Sequence, residues 1–167
     1  MTDFKKFIFD LTSVSTESWD KFSTLFKPRV LKKGDYFIKE GQIAKELAFL
    51  EDGIIRVFYR NDKAIEYNKQ QALTNCNILV AKYSEIQAFY SAYPDIERVA
   101  RILAEHFFVE KEQREIEIVL LDAEKRYPIF QKKFPDLEQQ IPQYHIASYL
   151  GITPTQLSRI RKKLSKK

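Results

Sequence analysis

Apolar positions along the chain change their period twice. Over residues 3–26 they recur at helical spacing, Phe4, Phe7, Ile8 and Leu11, then Trp19, Phe22, Leu25 and Phe26, on either side of a Ser/Thr-rich break at 12–16. That spacing puts each set on one helix face and predicts two short helices joined by a loop. From Arg29 to Tyr67 the texture is short apolar runs, at 30–31, 36–38, 47–50, 54–59 and 64–67. Turn residues separate them: Gly34-Asp35, Glu40-Gly41, Asp52-Gly53 and Asn61-Asp62. Runs of that length between such residues read as strands. The Asp52-Gly53 pair predicts a tight hairpin, because both central positions of a type I′ turn need positive φ. With a further run at 78–81, the stretch reads as antiparallel β, a roll or sandwich.

Beyond Ala81 the period returns to 3.6. Ser84 is the expected cap of a helix reaching Tyr93, and Pro94 opens the next, where its missing N–H costs nothing. Ile96, Val99, Ala100, Leu103 and Phe107 then share one stripe, and neither Gly nor Pro interrupts the helical composition to Leu121. A helix of that extent is a rod about 40 Å long, more than one small core covers. The stripe is therefore expected to meet a partner helix, most simply its own copy across a two-fold axis. The competing reading lays this helix over the β part of its own chain. Residues 123–134 predict a shorter helix, distorted near Pro128.

The most specific motif is QYHIASYLGITPTQLSRIRK at residues 143–162. Ile146, Leu150, Ile152, Leu157 and Ile160 are spaced to fill the seam between two crossing helices, and Ala147 is small where the second helix passes over the first. Gly151 supplies the positive φ of a tight turn. Thr153 caps the second helix, Pro154 occupies its first turn, and Pro142 opens the first helix in the same way. This is a helix-turn-helix.

Charge sharpens that reading. The chain has 28 Lys+Arg and 23 Asp+Glu, yet residues 142–167 hold six basic residues and no acidic one. All the excess positive charge therefore lies at one end, on the element a DNA-binding protein would place in an electronegative groove. A solvated basic face favoured by the helix dipole is the plain alternative. The exposed positions expected to face DNA are Thr153, Thr155, Gln156, Ser158, Arg159, Lys162 and Lys163, with Ala147, Gly151 and Leu157 holding the turn and the packing. Arg159 has the geometry to read guanine and Gln156 adenine, whereas Lys162 and Lys163 suit phosphates. His145, on the first helix, is a further candidate for a phosphate contact.

Other counts exclude chemistry. With 44% apolar and 14% aromatic residues in 167, the chain has the volume for a packed core in one domain or two small ones. One cysteine, Cys76, and two distant histidines, His106 and His145, cannot assemble a zinc or iron–sulfur site, and Cys76 reads as a buried small hydrophobe. No Gly-rich phosphate loop or dinucleotide turn occurs among the four glycines. No apolar run approaches the roughly 20 residues of a membrane span, and the N-terminus mixes charge with Phe and Ile, so no signal peptide, no membrane partner and a cytoplasmic location are expected. No nucleophile–base constellation supports an enzyme.

The order of parts, LKKGDYFIKEGQ and LAFLEDGIIRVFYR in a β segment, a long helix, then IASYLGITPTQLSRIRKKL, resembles the Crp/Fnr family of bacterial transcription regulators from about Val30 to Leu164. The resemblance implies an α+β fold: an N-terminal antiparallel β-roll of the jelly-roll or double-stranded β-helix type, a long dimerisation helix and a C-terminal helix-turn-helix. The corresponding divisions are 1–93, 94–121 and 122–167. It implies a homodimer on palindromic double-stranded DNA, with a small-molecule effector and RNA polymerase as further partners, and it matches Arg159 to a base-contacting arginine. Two contacts frequent in the family, an Arg and a Glu early in the recognition helix, are here Pro154 and Thr155, so the target sequence should differ. Between Tyr67 and Leu73 the family's cyclic-phosphate cassette is missing, which makes a cyclic nucleotide an unsuitable ligand and leaves the effector unassigned. Such a deletion would leave roll edges unpaired, so a segment missing from the sequence is the favoured explanation. The β-wing usual after the recognition helix is also missing, which leaves DNA contact to the two helices and the lysine tail. The competing function is a small-molecule-binding or protein-interaction module that binds no DNA.

Overall fold

Among the described residues the alternation along 27–82 resolves into six strands: β1 (Lys27–Leu31), β2 (Tyr36–Ile38), β3 (Glu46–Asp52), β4 (Ile55–Asn61), β5 (Glu66–Ala72) and β6 (Cys76–Lys82). Before them come α1 (Thr2–Leu11) and α2 (Thr16–Ser23), the two short helices of the N-terminal pattern; after them come α3 (Tyr83–Tyr90) and α4 (Pro94–Leu120). The C-terminal helices are α5 (Ala123–Lys133), α6 (Leu137–Gln140), α7 (Gln143–Tyr149) and α8 (Pro154–Leu164). This computed structural model describes residues 2–39, 41–61 and 66–165. The turn at Glu40, part of the run at 64–67, and Lys166 and Lys167 lie outside the described residues.

The chain divides into two units, Met1–Glu105 and His106–Lys167, so the division falls inside α4 and not at its ends. In the first unit the strands form two antiparallel three-stranded sheets, ordered β1-β6-β3 and β2-β5-β4. β3 and β6 pair from Glu46↔Lys82 to Asp52↔Asn77, and β4 and β5 from Ile55↔Ala72 to Asn61↔Glu66. The two pairs are successive lengths of one ribbon that turns a corner between the sheets. At the corner Leu73 N donates to Ile54 O at 2.8 Å and Ile54 N donates to Thr74 Oγ1 at 2.9 Å.

Asp52-Gly53 is therefore not a hairpin. It carries the chain from one sheet to the other, because β4 finds its partner in the strand that follows it. Gly53 has φ +103°, and a Cβ there would lie 2.6 Å from Asn75 O and 2.7 Å from Cys76 Sγ, so the crossing of the two arms admits only glycine. At the position of the expected missing segment, between Tyr67 and Leu73, the chain is continuous: β5 runs on to Ala72 and three residues turn the corner into β6, while each sheet keeps two edge strands.

β6 is buried on both faces, which is why residues 78–81 read as an unbroken apolar run. Ile78 and Val80 join Leu31, Ala72 and Cys76 inside the roll. Leu79 and Ala81 face a second core built by the helices, with Phe4, Ile8, Trp19, Phe22, Phe26, Ile86, Ile96 and Val99. Phe4 is central there, its ring 5.4 Å from Trp19, 4.6 Å from Phe26 and 4.9 Å from Phe49 between centroids.

That core overturns part of the expected dimer stripe. Ile96 and Val99 are 1% and 3% exposed, closed inside their own chain, and Leu103 packs against the same cluster. With Ala100 half-buried, only Phe107 of the five, 68% exposed, is left open. The laying-over reading thus holds for the start of α4. Ser84 is not a cap either: α3 begins at Tyr83, after Lys82, whose side chain makes no capping bond.

The entry to α4 is tied to α2 through Asp95. Its carboxylate accepts from Ser15 N at 2.9 Å, Ser18 Oγ at 2.8 Å and its neighbour Ile96 N at 3.0 Å. Partial desolvation pushes the carboxyl up, but these hydrogen bonds together outweigh it and hold the group below its ordinary value. A folded-state pKa below the unfolded one, about 3.9, gives a contribution complete above that pH and lost as the pH falls through the lowered value. Asp95→Asn is expected to cost about 1–2 kcal/mol at neutral pH. In thermal unfolding followed from neutral to strongly acidic pH, the gap between variant and parent should shrink towards the acid end; a gap that widened would refute this account.

Candidate nucleic-acid interface

Residues 143–164 fold as two short helices across a tight turn, built on α5. The seam contains Ile146, Leu150 and Leu157, all wholly buried, with Ala147, and it is closed by Tyr127 and Phe130 of α5. The path of α5 runs through Pro128, so the Glu124 carbonyl has no intrahelical donor at that point.

The turn has a defined hydrogen-bond pattern. Ile152 N donates to Ala147 O at 3.0 Å and Gly151 N to Ser148 O at 3.1 Å, the Schellman arrangement that ends a helix in a left-handed residue. Gly151 is that residue, at φ +68°. α8 then starts at a capping box: Thr153 Oγ1 accepts from Gln156 N at 3.2 Å, and Gln156 Oε1 accepts from Thr153 N at 2.9 Å.

Thr153, Thr155, Gln156, Ser158, Arg159, Lys162 and Lys163 are all exposed; Thr155, Arg159 and Lys162 fall opposite Leu157 on α8, and Thr153 is the N-cap of that helix. They are not equally available. Gln156 Oε1 is engaged by the cap and also accepts from Thr153 Oγ1 at 3.1 Å, so the amide does not present both of its groups to a base edge. Lys163 Nζ lies 2.8 Å from the Glu124 carboxylate, a solvent-exposed pair that is cheap to break. Arg159 and Lys162 make no side-chain hydrogen bond or ion pair among the described residues. His145 is buried, with the Tyr144 ring at 4.1 Å, which leaves it almost no surface for a phosphate.

Behind α8, the Tyr127 phenol donates to Glu138 Oε1 at 2.7 Å and accepts from Gln131 Nε2 at 3.1 Å. Burial and then the Glu138 carboxylate push its pKa up to about 12, against the opposing effect of the nearby Arg161 guanidinium. Arg161 is thus turned inward, unlike Arg159. The sequence reading also missed the arginines behind the turn: Arg114 of α4 and Arg126 of α5 donate to Tyr149 O and Leu150 O. No spacing rule signals such bonds, because donor and carbonyl are brought together only by packing.

Among the described residues no cluster of His, Cys, Asp and Glu is arranged to hold a metal, and no helix is long and apolar enough to cross a membrane.

Two substitutions test the construction. Gly151→Ala is expected to cost about 1–2 kcal/mol, all of it backbone strain, since an added Cβ meets nothing within 4 Å. Leu157→Ala should cost about 2–5 kcal/mol, through the cavity it leaves. Denaturant unfolding of both variants checks the ranking; a Gly151→Ala cost equal to the Leu157→Ala cost would show that the turn is sterically closed.

No model of a known protein family matches the chain, and no curated protein sequence matches it. Solved structures do. FixK2 from Bradyrhizobium japonicum superposes with a TM-score of 0.71 at 14% identity, over 84% of this chain and 85% of that one. CLP from Xanthomonas campestris, described as a c-di-GMP responsive global regulator, gives 0.68 at 14% identity over 91% and 92%. A CooA mutant from Carboxydothermus hydrogenoformans gives 0.66 at 16% identity over 92% and 87%. The chain has a Crp/Fnr-like fold, an antiparallel β-roll followed by a long helix and a C-terminal set of helices.

Proposed function

We propose that the chain is a dimeric, sequence-specific DNA-binding transcription regulator of the Crp/Fnr type. The observation that carries this reading is the outer face of α8, where Arg159 and Lys162 stand exposed beside Thr155 and Ser158, on a helix held by its cap and its buried Leu157. A helix of that kind fits the major groove, with Arg159 bidentate to guanine and the lysines on phosphates.

Dimerisation is supported by the second half of α4, further along the helix than the stripe read from the sequence. Phe107, Phe108, Val109, Ile116, Ile118, Val119 and Leu120 are each more than half exposed, Val119 at 80%. Seven large apolar side chains in contact with water on one helix call for a cover, and a second copy of the same helix supplies one symmetrically. Two α8 helices set about 34 Å apart would then meet one face of a palindromic duplex.

An open groove of about 710 Å³ at the edge of the first unit is where a small-molecule effector of the roll would sit, and RNA polymerase is the downstream partner that the resemblance implies. Phe37 and Ile38 line one part of it, and Lys45, Glu46 and Lys82 another. The same groove is what a ligand-binding module without DNA affinity would use, so duplex binding decides between the two functions.

The test starts with a duplex selected from a random library. Arg159→Ala should cost about 1–3 kcal/mol and relax preference at one base pair, whereas Lys162→Ala should weaken all duplexes alike and reduce the salt slope by about one. Binding that ignored salt, or was equal for every duplex, would sink the proposal. Separately, Val119→Glu should shift the protein from dimer to monomer in sedimentation equilibrium; an unchanged dimer would place the interface elsewhere.

A further inference from the structure

We propose that Arg114 and Arg126 form a latch that fixes the angle between α4 and the helix-turn-helix, and that this angle sets the half-site spacing the protein accepts. The second clause rests on the DNA-binding reading; the first does not.

A helix leaves its last four carbonyls without intrahelical donors, at the negative end of its dipole. In α7 these run from Ala147 to Leu150, and all four are accounted for. Ile152 N and Gly151 N serve Ala147 O and Ser148 O from within the turn. The other two are served from outside: Arg114 Nη2 of α4 donates to Tyr149 O, and Arg126 Nη2 of α5 to Leu150 O at 2.9 Å. Two guanidinium groups from two different helices thus hold adjacent carbonyls at the point where α7 gives way to the turn.

Arg114 is held on three sides. Its guanidinium lies 4.1 Å from the Tyr149 ring centroid, and it pairs with Glu117 at 3.2 Å. The two side chains are only 24% and 27% exposed, so the pair is partly shielded from water. Tyr149 in turn packs tilted against Phe130 and edge-to-face against Phe134, at 5.2 and 5.8 Å between centroids, so the grip reaches the core of the unit. Arg126 is set into the packing: its Nε is buried and has no hydrogen-bond partner, a cost tolerated beside the bond to Leu150 O.

Neither arginine faces the surface of α8, so both are positioning residues. They act by limiting how far α7, and α8 with it, can swing about α4. On the dimer reading α4 also carries the partner, so a loosened latch would let the two α8 helices drift from one spacing.

The latch is tested first without DNA. Spin labels at Glu112→Cys on α4 and Ser158→Cys on α8, both exposed positions, report the distance between them within one protomer once labelled protein is diluted with unlabelled; the native Cys76 is buried. The parent should give a narrow distribution and Arg114→Ala a distinctly broader one, with Arg114→Lys between them because it keeps the charge and loses the fork and the stacking. If Arg114→Ala fails to fold by circular dichroism, Arg114→Lys and Glu117→Gln carry the measurement. A distribution as narrow as the parent's in the folded variants overturns the latch.

The second arm measures affinity for the selected duplex and for versions with half-sites moved by one or two base pairs. Arg114→Ala should bind the selected duplex about tenfold more weakly, with a smaller penalty for altered spacing and an unchanged salt slope. A parental spacing penalty, or a slope reduced by about one as for a lost phosphate contact, overturns the spacing role. A parent that binds no duplex would remove the DNA reading and the spacing clause with it, while the distance measurement still decides the latch.

Discussion

Leu157 is wholly buried between α7, α8 and α5, in one cluster with Ile146, Ala147, Leu150, Tyr127 and Phe130, and the orientation of α8 follows from that burial. Withdrawing one such side chain from water is worth about 1.5–3 kcal/mol, and three in this seam are at zero exposure. A helix held on one face by that seam must turn its other face outward. The exposed face is the one bearing Arg159 and Lys162, so apolar packing, and not the charges themselves, decides what α8 presents. The charges then decide what it can meet.

The roll obeys a different constraint. Two sheets of three strands have little area for a core, and β6 resolves this by serving two cores at once, one inside the roll and one under the helices. The corner at Gly53 and residues 73–75 makes this possible, because it keeps the ribbon paired as it passes from one sheet to the other. A side chain at Gly53 would collide with the backbone of the opposite arm.

α4 divides its work along its length. Its first turns complete the helical core of the first unit through Ile96 and Val99, and Asp95 ties them to α2. Its later turns keep one side for Arg114 and Glu117, which face the C-terminal helices, and leave seven apolar side chains uncovered. No single amphipathic stripe runs along such a helix, since what it must cover changes from one end to the other.

Local physics was legible in the sequence. The helix pairs at each end, the strand texture, Pro94 as a helix start, Thr153 as a cap and Gly151 at positive φ follow from preferences that act within a few residues, where the chain's own sterics dominate. The basic face of α8 was legible for the same reason, since helical periodicity alone separates Leu157 from Arg159. Partnerships between distant segments were decided by tertiary structure. Asp52-Gly53 is a sheet-to-sheet corner because β4 pairs forward, and Ile96 and Val99 are core because α1 and α2 return to cover them. The arginines at Tyr149 and Leu150 belong to the same class: Arg114 lies 35 residues from its carbonyl and Arg126 lies 24 from its own. Over such separations one-dimensional spacing carries no distance, and only packing brings donor and acceptor together.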